Sequence, residues 1–207
     1  MRIIINLFIL TLLASKAFSQ IEIGMKFPTP GEAKVLESQI NSIEVDTTSL
    51  IVNINPLNSD EGKRKMSGSI YKRPASDFPL NLHVWYLFEP NSAETSNIIY
   101  NWGLYNPSFN ANENTGLLFE LNTKEKDFVQ KFESLYTSIE SKFGEPSKVG
   151  EIIDKPHILV KKYTWETPEG FVTLDMEFAR EIKQFPRIGF QTNNFEIQVS
   201  IKRKIAM

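Results

Sequence analysis

Asp175 and Glu177 are the carboxylate pair whose spacing in this chain suggests acid–base chemistry. They alternate with Val172, Leu174, Met176 and Phe178, so a strand over 171–178 would project both from one face, about 7 Å apart. Glycosidase-type hydrolysis uses that separation to set an acid and a base on either side of a scissile bond. A strand with one face exposed shows the same pattern with no chemistry attached, its apolar side chains turned in and its acids out. Other catalytic residue types are scarce. His83 and His157 are the only two histidines, and neither has the close neighbours that a zinc or iron site requires, so no metal is expected. No Gly-x-Ser-x-Gly elbow exists to seat a nucleophilic serine, and Ser69 with Lys72 forms a Ser-x-x-Lys pair without its partner motifs. The absence of cysteine excludes disulfides, thiolate zinc sites, thiol nucleophiles and a lipid anchor on an N-terminal cysteine. The ten glycines form neither a phosphate loop nor a dinucleotide fingerprint, and no cofactor is expected.

Binding chemistry has more to work with. Trp102, Tyr105 and Phe109 stand among Asn101, Asn106, Asn110 and Asn112. Apolar ring faces beside amide donors and acceptors suit a glycan or peptide surface. Trp102 also shares its alternation with Ile98 and Tyr100, which predicts core packing for it and leaves Tyr105 and Phe109 as the freer pair. Two basic runs, Lys63-Arg64-Lys65 and Lys202-Arg203-Lys204, read as a solvated loop and a chain end. Nucleic-acid binding needs a basic surface, and this chain is acidic on balance, with 23 basic and 25 acidic residues.

The first residues carry an address. Arg2 supplies a positive end, residues 3–13 are apolar except for Asn6 and Thr11, and Ala17 and Ser19 place small side chains three and one before a cut ahead of Gln20. The apolar run is roughly half the length of about 20 residues that spans a bilayer. Residues 1–19 therefore read as a cleavable signal peptide, and no transmembrane segment is expected in the mature chain. Cleavage removes Arg2 and Lys16, so the basic count falls from 23 to 21 against 25 acids, a net charge of −4. With no disulfide-forming residue, and with the Asn106-Pro107-Ser108 sequon blocked by proline, the expected compartment is a bacterial periplasm or the extracellular space.

The elements that must position these residues are legible in part. Thr29, Pro30 and Glu32 predict a capped helix over 30–41, with Ala33, Leu36, Ile40 and Ile43 at helical spacing. Strands are predicted over 49–55, 80–88 and 97–105, the last two as a hairpin, with 58–77 a polar loop holding at most a short strand near Ile70. An Asn-rich loop follows, and a sub-boundary is placed near 106–122. The clearest element is a helix over 123–143, where Phe128, Phe132, Leu135, Ile139 and Phe143 form one apolar stripe. Asn122 is its expected cap, and Gly144 with Pro146 its stop. Strands over 157–166, 171–178 and 194–202 complete the chain. A one-sided helix and one-sided strands predict an α+β fold, an antiparallel sheet covered by the long helix, in a single domain over 20–207. The element order also permits a tandem arrangement, helix plus three strands twice over.

The stretch 135–165, with Lys142-Phe143-Gly144-Glu145-Pro146 leading from helix into a Trp-bearing strand, resembles small exported bacterial proteins of unknown function. In some of these, inhibitor-like and outer-membrane-assembly accessory domains among them, a helix packs on an antiparallel sheet, so the resemblance implies a fold and no activity. The expected protein is an exported, non-enzymatic binder of a protein, peptide or glycan, with a paired-carboxylate hydrolase as the rival. N-terminal sequencing of the protein recovered from cell fractions checks the address: the expected first residue is Gln20, outside the cytoplasm, and an intact Met1 in the cytoplasm would refute it.

Overall fold

The computed structural model describes residues 23–46, 49–53, 63–74, 78–89, 94–103, 115–181 and 195–204. The predicted leader with its Ser19–Gln20 cut, together with Tyr105 and Phe109, lies outside them.

Helix α1 (Pro30–Gln39) begins as its sequence dictates. Thr29 accepts from the Glu32 amide at 3.3 Å, Glu32 accepts from the Thr29 amide at 2.8 Å, and Pro30 opens the first turn where no amide hydrogen is needed. Its inward face is not the predicted one. Ala33 is buried, but Leu36 and Ile40 are 45% and 41% exposed, and Ile43 has left the helix altogether. Glu37 turns inward instead, fully buried. The reason is a counter-ion: Arg73 donates to both Glu37 oxygens, Nη2 to Oε1 at 2.7 Å and Nε to Oε2 at 3.2 Å, while the Tyr86 and Ser42 hydroxyls donate at 2.7 and 2.6 Å. A buried carboxylate so fully hydrogen-bonded outweighs the apolar side chains that compete for the same face.

Nine strands form one antiparallel sheet. β1 (Ile43–Asp46) and β2 (Ser49–Asn53) lie end to end against β3 (Lys63–Lys72), β1 opposite residues 70–72 and β2 opposite 63–67, so they share one lane. β4 (Leu82–Phe88) and β5 (Thr95–Trp102) continue the meander. After α2 (Thr115–Asn122) and α3 (Glu125–Phe143), a second meander runs through β6 (Lys148–Lys155), β7 (Ile158–Glu166), β8 (Gly170–Ala179) and β9 (Phe195–Arg203). The two meanders meet where β5 pairs with β9, from Asn97 opposite Lys202 to Trp102 opposite Ile197. Eight lanes result, in the order β1/β2, β3, β4, β5, β9, β8, β7, β6.

The α+β architecture is the predicted one, an antiparallel sheet under a long helix. Four details differ. Each half is a helical stretch followed by four lanes, not three. The region expected to be a loop contains β3, ten residues long, whose Ser67-Gly68-Ser69 centre hides its periodicity. The predicted sub-boundary contains α2, and its Leu118 and Leu121 belong to the same core as both meanders. Asn122 does not cap α3; its amide donates to the Ala179 carbonyl at 2.8 Å, and the cap position is Lys124, with no side-chain hydrogen bond.

α3 lies over β7 and β8. Phe128 meets Phe178 edge-on at 5.1 Å, Tyr136 meets Tyr163 at 4.9 Å, and Phe132, Leu135 and Ile139 are buried on the same stripe. Gly144, at φ +79°, ends the helix in a conformation that disfavours side chains, and its carbonyl accepts from the Trp165 indole at 2.9 Å. At the helix start, the Arg180 guanidinium clasps Glu125 and reaches Asp154 on β6. Gly170 is required by packing: a Cβ there would stand 2.1 Å from the Lys202 carbonyl oxygen. Both outer lanes break register, β1 between Glu44 and Asp46 and β6 between Val149 and Ile152.

The Glu37 network yields a stability prediction. Burial pushes the Glu37 carboxyl up, but the hydrogen bond and charge of Arg73, with Ser42 and Tyr86, bring it below its ordinary value of 4.5. Its contribution is therefore full above the unfolded value and is lost as pH falls through the folded one. Glu37→Gln should cost about 3 kcal/mol at pH 7 in urea unfolding, with the deficit shrinking below pH 4.5. An unchanged midpoint at pH 7 would refute the assignment.

Candidate functional site

Alternation along the strands gives the sheet two unlike sides. The helix side carries Leu82, Val84, Tyr86, Ile98, Tyr100, Val172, Leu174, Met176, Phe178, Ile197, Val199 and Ile201, all buried in one core. The far side divides at the seam between the meanders. On the first meander it holds Met66, Ile70, His83 and Leu87, which are buried, with Trp85 half-buried beside them. On the second it is half-exposed and polar.

Strand register sets that polar band. Asp175 lies opposite Lys162 on β7 and Gln198 on β9, Thr173 opposite Thr164 and Ser200, and Glu177 opposite Glu196. Asn101 on β5 reaches across the seam, donating its amide to Glu196 and, at 3.5 Å, to Gln198. Lys162 pairs with Asp175 at 2.9 Å, and Ser200 donates to Asn97 at 3.1 Å. The two predicted carboxylates are thus brought together on one surface, and a third, Glu196, joins them. Sequence alternation puts Glu196 on the exposed face of its strand, since Phe195 and Ile197 point inward, but only the β8–β9 register sets it against Glu177.

The electrostatics of the band follow from this geometry. Two acids directly opposite on neighbouring strands repel. Burial pushes the Glu196 carboxyl up, the Asn101 amide draws it down, and the charges of Glu177 and Asp175 push it up again, leaving it above its ordinary value. Asp175 is likewise raised by burial, against the opposing pull of Lys162. Glu177 makes no ion pair or hydrogen bond among the described residues. No three His, Asp or Glu side chains among those residues converge to hold a metal ion.

The remaining predicted residues lie elsewhere. Trp102 is on the helix side, fully buried, with the Lys131 ammonium 4.7 Å from its ring centroid. His83 is buried on the far side, where burial, aided by the charge of Lys72, pushes its imidazole down. His157 sits in the exposed β6–β7 turn, its carbonyl accepting the amides of Arg180 and Glu181. No helix among the described residues is long and apolar enough to cross a membrane.

A raised carboxyl stabilises the fold below its unfolded value and loses that contribution as pH rises through the folded value. Glu196→Gln keeps an acceptor for Asn101 and removes the repulsion, so it should stabilise the protein by about 0.5 kcal/mol at pH 7. That gain should vanish at pH 4. Urea unfolding at the two pH values measures both, and a loss of stability at pH 7 would contradict the like-charge reading. In comparisons with known proteins, no family model, no curated protein and no solved structure matches this chain.

Proposed function

We propose that this chain is an exported, non-enzymatic binding protein whose second-meander far side receives a protein, peptide or envelope component. The observation that carries this reading is the half-exposed polar band over β7, β8, β9 and β5, on the side of the sheet opposite α3. Its side chains offer donors and acceptors at regular strand spacing, as a surface that meets an extended partner requires. One acid of the band, Glu177, has no side-chain ion pair or hydrogen bond among the described residues. The leader-like residues 1–19 supply the export half of the proposal.

The paired-carboxylate hydrolase remains the second reading because Asp175 and Glu196 both hold raised carboxyls on one face, and a general acid needs such a shift. Against it, Asp175 is engaged by Lys162 and Glu196 by Asn101, so neither is poised for proton transfer.

A triple variant, Asp175→Asn, Glu177→Gln and Glu196→Gln, separates the two. The wild-type chain, immobilised and exposed to envelope extract from its own source, should retain a defined partner that the triple variant loses at least about tenfold, a change of ~1.4 kcal/mol. Equal retention by both proteins would sink the binding reading. Hydrolysis of a glycan by the wild type that Asp175→Asn or Glu196→Gln alone abolishes would establish the rival.

A further inference from the structure

Ahead of α1, residues 23–29 cross the end of the sheet at which β5 and β8 begin and β9 finishes. Each lane meets them through a different contact. On β5, the Thr95 amide donates to the Pro28 carbonyl at 3.0 Å, and the Thr95 hydroxyl donates to the same oxygen. On β9, the Arg203 guanidinium lies 5.8 Å from the Phe27 ring centroid. On β8, Gly170 leaves room for Met25, whose Cε would stand 2.7 Å from a Cβ there. Beyond the sheet, Lys142 at the end of α3 donates to the Ile23 carbonyl at 2.5 Å, and Ile23 itself is buried in the core. Residues 23–29 are therefore a strap over the β5–β9 seam, clamped at both ends and plugged by one apolar side chain.

The strap starts close to the expected leader cut. Three residues, Gln20, Ile21 and Glu22, separate the Ser19–Gln20 bond from Ile23. Fully extended, that length of chain covers about 14 Å. A peptidase draws an extended stretch on both sides of the bond into its cleft, so a chain fixed by folded structure is cut from its opened state. With Ile23 buried and its carbonyl held, the side after the bond is too short to enter such a cleft.

We propose that leader removal must precede closure of this strap, which thereby times processing against folding. The inference rests on reading residues 1–19 as a leader and is independent of the polar band. While the strap is undocked, the bond is open to hydrolysis. Water adds to the Ser19 carbonyl carbon, the C–N bond to Gln20 breaks, and a carboxylate and a new ammonium result. Ile23 then enters the core, and Lys142 closes on its carbonyl. A chain that closes first hides its own cut and keeps its leader.

The full chain, residues 1–207 in detergent with purified bacterial signal peptidase, tests this order. It is diluted from urea either directly into the peptidase, or into buffer where it folds before the peptidase is added. Direct addition should give cleavage between Ser19 and Gln20 at least about tenfold faster, because cutting follows the population of the opened strap. Ile23→Asp and Lys142→Met should each raise the rate of the folded chain towards that of the unfolded one. Lys142→Met leaves the apolar core intact, so it gives the answer if Ile23→Asp does not fold. Equal rates before and after folding would overturn the inference, as would variants that stay as slow as the folded wild type. An unfolded chain left uncut at Ser19–Gln20 would refute the leader itself, and the timing role of the strap with it.

Discussion

The antiparallel pairing of β5 with β9 is the contact on which the rest of the molecule depends. Each meander alone is four lanes with an apolar face too broad for one helix to close. Joining them edge to edge puts Trp102 opposite Ile197 and Tyr100 opposite Val199, so the two apolar faces become one. The helices and the N-terminal segment then cover a shared core, in which Ala33 of α1 and Phe128 of α3 belong to the same cluster. Register across this seam also decides the far side, because it places the Asn101 amide against Glu196. One set of backbone hydrogen bonds therefore fixes both the interior and the polar surface.

The two helices solve the same problem by different means. α3 docks through an aromatic stripe, its phenylalanines meeting Phe178, Phe195 and Tyr163 edge-on or tilted. α1 docks through Glu37 and Arg73, a charge pair closed by two hydroxyls. The first arrangement is tolerant of small shifts, since dispersion contacts are many and individually weak. The second tolerates none, since a buried carboxylate that loses its partner remains charged in a low dielectric. This difference explains why α1 leaves Val35, Leu36 and Ile40 outside while α3 leaves mainly polar side chains there.

It also explains what could be read from residues alone. Phe128, Phe132, Leu135 and Ile139 announce α3 because burial there is apolar and periodic. Leu82 to Phe88 and the odd-numbered apolar positions of β9 announce themselves in the same way. Glu37 gives no such signal, because its inward turn depends on an arginine 36 residues away. β3 reads as a loop because Lys63, Arg64, Lys65, Ser67, Gly68, Ser69 and Lys72 occupy most of it. β6 reads as nothing at all, since an outermost lane exposes both faces and has no alternation to show. Of the polar band, Asp175 and Glu177 were legible from alternation, whereas the opposition of Glu177 and Glu196 is a matter of register and leaves no local trace.

The irregular outer lanes have a consequence for how this chain behaves in company. A long, flat border of unpaired amides and carbonyls invites a neighbouring molecule to extend the sheet indefinitely. Here one border is interrupted between β1 and β2 and out of step at Glu44, and the other is displaced at Gly150 and Glu151 and tipped with Lys148 and Lys155. Kinks and ammonium groups at these places obstruct an incoming strand. These irregularities shorten the continuous backbone that an incoming strand could pair with at the borders where an eight-lane sheet is most vulnerable to fibrous stacking.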